Sequence, residues 1–163
     1  MKREKFLWPL TQGHHRGLVA ARNIRDRITR LSTENRKAEM AELRKEVEDF
    51  WQGELKAHFE AEEEMLQIFS KRAGSPDTDT ARILREHQVM RHLLKKGFKE
   101  DLFRFAEILT AHIRFEEDVL FGRIEKTLEG GEIEALGIMF LKKAVPSCVR
   151  IPSPGLNPPD PTH

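Results

Sequence analysis

Histidine and glutamate recur in this chain at one spacing. His58 and Glu62 stand four residues apart, and so do His112 and Glu116. On a helix that is one turn, so each pair presents an imidazole and a carboxylate to the same neighbour. The apolar residues around the pairs show which neighbour this is. At about 100° per residue, Trp51, Leu55, Met65 and Phe69 share a stripe with His58 and Glu62, while Leu102, Phe105, Leu109 and Val119 share another with His112 and Glu116. Both pairs therefore point where core side chains point. Glu60, Glu63 and Glu64 fall on the solvated side of the first helix, and Glu117 lies off the second stripe. An ionised carboxylate in a helical core is costly unless it is paired, hydrogen-bonded or bound to metal, so Glu62 and Glu116 call for partners.

Two more histidines take core positions. His14 lies one turn before Leu18 on the stripe Leu18, Ala21, Ile24, Ile28 and Leu31, with His15 about 100° further round. His87 sits at the centre of the stripe Ile83, Leu84, Met90 and Leu94, and His92 projects away from it. Alone, each has an ordinary explanation, as a hydrogen-bonded core histidine or a partly exposed pair near a helix start. Their weight comes from the helices acting together.

Those helices follow from the pattern of apolar residues and breakers. Thr11 can cap a first helix over about residues 11–31, after Pro9. A second helix is predicted from Ser32 or Thr33 to about residue 72. Gly53 inside it costs about 1 kcal/mol of helix propensity, with close packing as the one reason in view. Gly74 and Pro76 break the chain, a third helix covers 78–96 up to Gly97, and a fourth covers about 99–126, ended by Gly130 and Gly131. A short amphipathic segment over 132–143 is expected to pack over one end. From Val145 onward the chain holds six of its eight prolines, which predicts an irregular tail. The expected class is all-α: an up-down-up-down four-helix bundle over 1–144 with a short additional C-terminal helix, then a proline-rich tail over 145–163.

Composition narrows the function. With 163 residues, 28 Lys+Arg against 27 Asp+Glu and a net charge of +1, the chain is one domain by length and offers no basic face for nucleic acid. Cys148 is the single cysteine, and neither a signal-peptide pattern nor a long apolar run stands out, so a cytoplasmic protein without a membrane partner is expected.

In an up-down bundle, facing side chains build metal sites in the core. At about 1.5 Å per residue, His58 lies about 21 Å before the end of the second helix and His87 about 14 Å after the start of the third. His112 and Glu116 descend to the same level, and His14 is near the start of the first helix. Four imidazoles and two carboxylates exceed the four ligands of a closed zinc site, and imidazole does not suit calcium or magnesium. Two octahedral-leaning metals bridged by two carboxylates fit the count, with iron as the first choice. Each histidine then needs an acceptor on its second nitrogen, for which Glu86 and Glu63 are candidates.

The motifs HHRGL opening at His14, HFEAEE at His58, EH at His87 and HIRFEE at His112 resemble those of the hemerythrin-like (HHE cation-binding) family, over about residues 10–127. The resemblance implies a non-haem di-iron centre, oxo- or hydroxo-bridged, with Glu62 and Glu116 bridging and His14, His58, His87 and His112 terminal. Ferritin-like di-iron bundles use Glu-x-x-His, and none of the seven histidines here has a glutamate three residues before it. One departure stands out: oxygen-carrying hemerythrins have a fifth histidine one turn after the third-helix ligand, and here that residue is Arg91. The resemblance therefore points to a four-histidine site and away from reversible oxygen transport. An arginine there cannot ligate metal; its head could stabilise an anionic ligand or pair with an acidic residue. The expected activity is uptake of dioxygen, nitric oxide or peroxide in a sensing, storage or redox role. The alternative is a di-iron redox enzyme with peroxidase-like, ferroxidase or iron-donating repair activity. The absence of tyrosine excludes a tyrosyl-radical route.

Overall fold

The structure is a computed structural model that describes residues 7–74 and 77–143. Pro9 decides where the first helix starts. Its missing N–H is harmless in a first helical turn, so α1 runs Trp8–Thr29 rather than starting at Thr11. Thr11 lies inside the helix, and its hydroxyl donates to Glu117 at 3.0 Å.

The second rod starts later than Ser32. The Ser32 N–H and hydroxyl both donate to the Glu39 carboxylate, at 2.9 and 3.0 Å, and that turn occupies the residues ahead of α2, Arg36–Phe50. The chain then passes without a break through a wide π turn, Trp51–Leu55, into α3, Lys56–Ala73. α4 is Thr78–Lys96, capped by the Asp77 carboxylate, which accepts from the Thr80 N–H at 2.9 Å. It ends at Gly97, whose φ of 62° is the left-handed conformation glycine adopts without a Cβ penalty. The fourth rod comprises α5, Lys99–Phe115, a second π turn, Glu116–Leu120, and α6, Phe121–Thr127. Gly130 and Gly131 open the last helix, α7, Gly130–Lys143; the stop they were expected to provide comes earlier, at the extended Leu128. The expected proline-rich tail lies outside the described residues.

Cross-rod contacts fix the directions. Early α1 meets α3 through His14 and Glu62, and late α1 meets α2 through Arg27 and Glu42. Arg44 reaches the Gly97 carbonyl while Ser70 meets Thr80. Arg123 pairs with Asp77 while His112 meets Glu86. Each rod thus runs antiparallel to the next, giving an all-α, up-down-up-down bundle, with α7 packed on α3. Among the described residues no helix is long and apolar enough to cross a membrane.

The core is two apolar clusters with a polar belt between them. Ala21, Ile24, Phe59, Met90, Leu109 and Ile113 belong to one cluster, and Leu10, Met65, Ile83, Leu120, Phe121 and Phe140 to the other. Every rod crosses from one to the other, and where it crosses it carries His14, Glu62, His87, or His112 with Glu116. These five are 3% exposed or less.

The π turns correct the expected stripes. A five-residue turn takes in one extra residue and rotates everything after it by about 100°. Leu120 is consequently fully buried while Val119, expected in the core, is 42% exposed. Gly53 lies in the other wide turn, and a Cβ there would meet nothing within 4 Å, so close packing does not explain it. On α4 the buried face leans toward Ile83 and Leu93, where the helix rests on α3 and α5, and Leu84 is left exposed. Leu120→Ala should therefore cost about 2–4 kcal/mol of unfolding free energy and Val119→Ala within about 0.5. Denaturant midpoints of the two variants check this, and similar losses in both would mean that the stripe continues through Glu116–Leu120 unrotated.

Candidate metal centre

The belt brings all six expected ligand residues together. His58 Nε2 lies 2.6 Å from Glu62 Oε1 and His14 Nε2 3.1 Å from the same oxygen. His87 Nε2 lies 3.3 Å from Glu62 Oε2 and 3.2 Å from His112 Nε2. Glu116 Oε2 stands between His14 Nε2, at 3.1 Å, and His112 Nε2, at 3.4 Å. Two groups of donor atoms result, one from His14, His58 and Glu62 and one from Glu62, His87, His112 and Glu116. Glu62 belongs to both, and Glu116 Oε2 faces a histidine of each. His15 is exposed, as is His92.

Behind the ligands stands a ring of carboxylates. Glu117 Oε1 is 2.7 Å from His14 Nδ1, Glu63 Oε1 is 2.9 Å from His87 Nδ1, and Glu86 Oε2 is 2.8 Å from His112 Nδ1. An ionised carboxylate only accepts, so each Nδ1 donates and each Nε2 is left to face the centre, the arrangement that orients a histidine ligand. Glu63 and Glu86 take the supporting role considered for them. Glu117 was passed over because it lies off the stripe; the signal for it is the doubled motif, since Glu62–Glu63 and Glu116–Glu117 follow His58 and His112 at the same distance. Arg91 does not aim at the centre. Its Nη1 is 2.8 Å from Glu63 Oε1, so it stands behind the carboxylate that holds His87. Phe59 stacks on the His87 ring with centroids 3.8 Å apart, closing that side with apolar surface.

The electrostatics show what the belt lacks. Glu62 and Glu116 are wholly buried, yet Glu62 Oε2 and both oxygens of Glu116 make no hydrogen bond. Burial penalises charge on His14, but the carboxylates of Glu116, Glu117 and Glu62 override it and raise its pKa well above the ordinary value. The same contest at His87, between burial and the carboxylates of Glu62 and Glu63, ends at about 9. Burial would raise Glu62, but the charge of His58 and the imidazoles of His14, His58 and His87 around it hold it well below the ordinary carboxylate range. Without metal, protons on imidazoles thus supply the positive charge that the buried carboxylates require.

Metal ions fit this donor set. On an octahedral ion with bonds near 2.1 Å, neighbouring donor atoms lie roughly 3 Å apart, the range spanned by the distances above. The buried oxygens of Glu62 and Glu116 that lack a hydrogen bond carry the negative charge that such ions would neutralise. The family model of the hemerythrin HHE cation binding domain matches residues 10–124. The match spans most of the chain and all six residues, and the chain belongs to that family. It is a metal-binding, hemerythrin-like bundle by fold and by site. Neither the curated proteins nor the solved structures give a match.

Two outcomes follow. His14→Ala should abolish metal retention at its position while His15→Ala leaves it intact, as metal content after desalting would show; the opposite result would mean that α1 is turned by one residue. The second concerns the metal-free protein. A histidine with a raised pKa stabilises the fold fully below the unfolded value and loses that contribution as pH rises through the folded one. For His87 the window is about 6.5 to 9, and its contribution is on the order of 3 kcal/mol. Metal-free protein should therefore lose denaturant resistance as pH is raised through that window, while metal-loaded protein, its imidazole protons already displaced, should not. Equal pH slopes for the two forms would contradict this.

Proposed function

We propose that the protein holds a pair of iron ions between its four rods and uses them to take up a small ligand: dioxygen, nitric oxide or peroxide. The observation that carries this reading is the pair of buried carboxylates with unsatisfied oxygens, each placed between two groups of imidazole nitrogens. A single ion in the group of Glu62, His87, His112 and Glu116 would meet both carboxylates and leave the group of His14 and His58 unused. Two ions would use both groups, with His14 and His58 holding one, His87 and His112 holding the other, and Glu62 and Glu116 facing both.

When bound, such a centre supplies redox-active metal with positions free for an external ligand. The chain supplies the rest. Glu117, Glu63 and Glu86 hold three of the imidazoles in the ligating tautomer. Phe59, Phe121 and the two apolar clusters keep bulk water from the belt, which strengthens every interaction between the carboxylates and a cation. Arg91, turned onto Glu63, adds no ligand, so both positions keep the same small number of histidines. Catalytic turnover of peroxide or nitric oxide at the same centre is the competing reading.

Fully loaded protein should contain about two iron atoms per chain, and Glu62→Ala should lose them while keeping most of its helix content. Metal analysis with circular dichroism checks both. A limit near one metal, or zinc retained in preference to iron, would overturn the di-iron reading. Sustained consumption of added hydrogen peroxide, rather than a stoichiometric spectral change, would favour the enzyme.

A further inference from the structure

The belt has an approximate internal symmetry. His14 and His87 correspond, as do His58 and His112, Glu62 and Glu116, and Glu63 and Glu117. His14 is held by Glu117 of the fourth rod and His87 by Glu63 of the second, each the glutamate that follows a ligand glutamate. The correspondence fails at one place. The residue before His87 is Glu86, whose carboxylate holds His112 Nδ1 at 2.8 Å. The residue before His14 is Gly13. A Cβ on Gly13 would lie 2.6 Å from His58 Nδ1, so the glycine occupies the place of a supporting carboxylate and lets the α1 backbone press against the ring.

His58 differs in a second way. It is 14% exposed, against 3% or less for the other three histidines. It opens on a cleft of about 40 Å³ between α1 and α3, lined by Leu10, Gly13, Glu54, Ala57 and, from α7, Phe140. One water needs about 10–15 Å³ on this measure, so the cleft has room for an ion with part of its water shell. Glu54, paired with Arg16, places a carboxylate beside this opening.

From these two observations we propose that the cleft at His58 is the route by which metal enters and leaves, and that the two positions are unequal. The ion held by His14 and His58 exchanges first, and the ion held by His87 and His112 is retained. This rests on the two-metal reading given above. Four equivalent imidazoles would give no order of loss. The order comes from the missing support behind His58 and from its access to solvent, whereas His87 is locked by Glu63, Arg91 and Phe59, and His112 by Glu86.

The test is release of ferrous iron from the full chain to an excess of chelator, without oxygen. Release should occur in two phases of about one equivalent each. Ala57→Phe narrows the cleft without replacing any ligand or its support, and should slow the fast phase several-fold while leaving the slow phase unchanged; Ala57→Leu should do the same to a smaller extent. Arg91→Ala and Glu86→Gln should quicken the slow phase, by about 10–100-fold if they behave as outer-shell partners do. His58→Ala should keep one metal that leaves at the slow rate. Release of two equivalents in a single phase, or a fast phase that neither Ala57 variant changes, would overturn the proposal and leave the two-metal reading standing. A total near one equivalent in the unsubstituted protein would instead overturn the two-metal reading itself.

Discussion

Two carboxylates in the middle of an apolar bundle are the constraint on which the rest of the structure depends. Glu62 and Glu116 have no exposed surface, and an ionised carboxylate left unpaired in such a place would cost several kcal/mol. The fold contains them by placing cationic or cation-binding groups around them at one level, and this fixes the register of all four rods. A slip of one turn in any rod, about 5.4 Å, would put an aliphatic side chain into the belt and a histidine into an apolar cluster. The belt is thus a device for register as well as a site, and the apolar clusters above and below hold the rods at the depth it requires.

The same constraint explains why protons and metal compete for the centre. The carboxylates attract positive charge whichever form it takes, and in the metal-free protein they draw it onto His14 and His87. A bound cation does this work without occupying the Nε2 lone pairs with protons. Folding and metal binding are therefore linked through the imidazoles, and the carboxylates at the Nδ1 atoms of His14, His87 and His112 orient those three rings.

Much of this was legible in the sequence because burial of a charged residue contradicts the ordinary use of an apolar stripe. That contradiction picked out Glu62 and Glu116 and left Glu60 and Glu64 aside, and it separated His14 from His15 and His87 from His92. A fixed 3.6-residue period cannot reveal where the period changes. The wide turn at Glu116–Leu120 moves Leu120 inward and Val119 outward, and no breaker residue marks it. Glu117 was missed for a related reason, since a side chain that supports a ligand on another helix need not lie on its own helix's stripe. The supporting shell follows distances between rods, and these are set by packing. Gly13 is the clearest case: its meaning lies in how closely α1 approaches His58, which no spacing along the chain encodes.

Arg91 shows how the residues behind the ligands shape the centre. Were it a histidine, the two metal positions would differ by ligand count, and that difference would dominate their behaviour. On the two-metal reading proposed above, Arg91, turned onto Glu63, would leave each position with two imidazoles and a share in the same two carboxylates. A difference between the positions must then come from what stands behind the ligands. On one side that is carboxylates at both histidines, with a guanidinium and a stacked phenylalanine beside His87. On the other it is a carboxylate and a stacked phenylalanine, Phe121, at His14, and a glycine at His58. Chemistry that needs one firmly held ion and one accessible ion can be built on a symmetric set of ligands, provided that its surroundings are not symmetric, and the exchange of a carboxylate for a glycine one residue before a histidine provides that asymmetry.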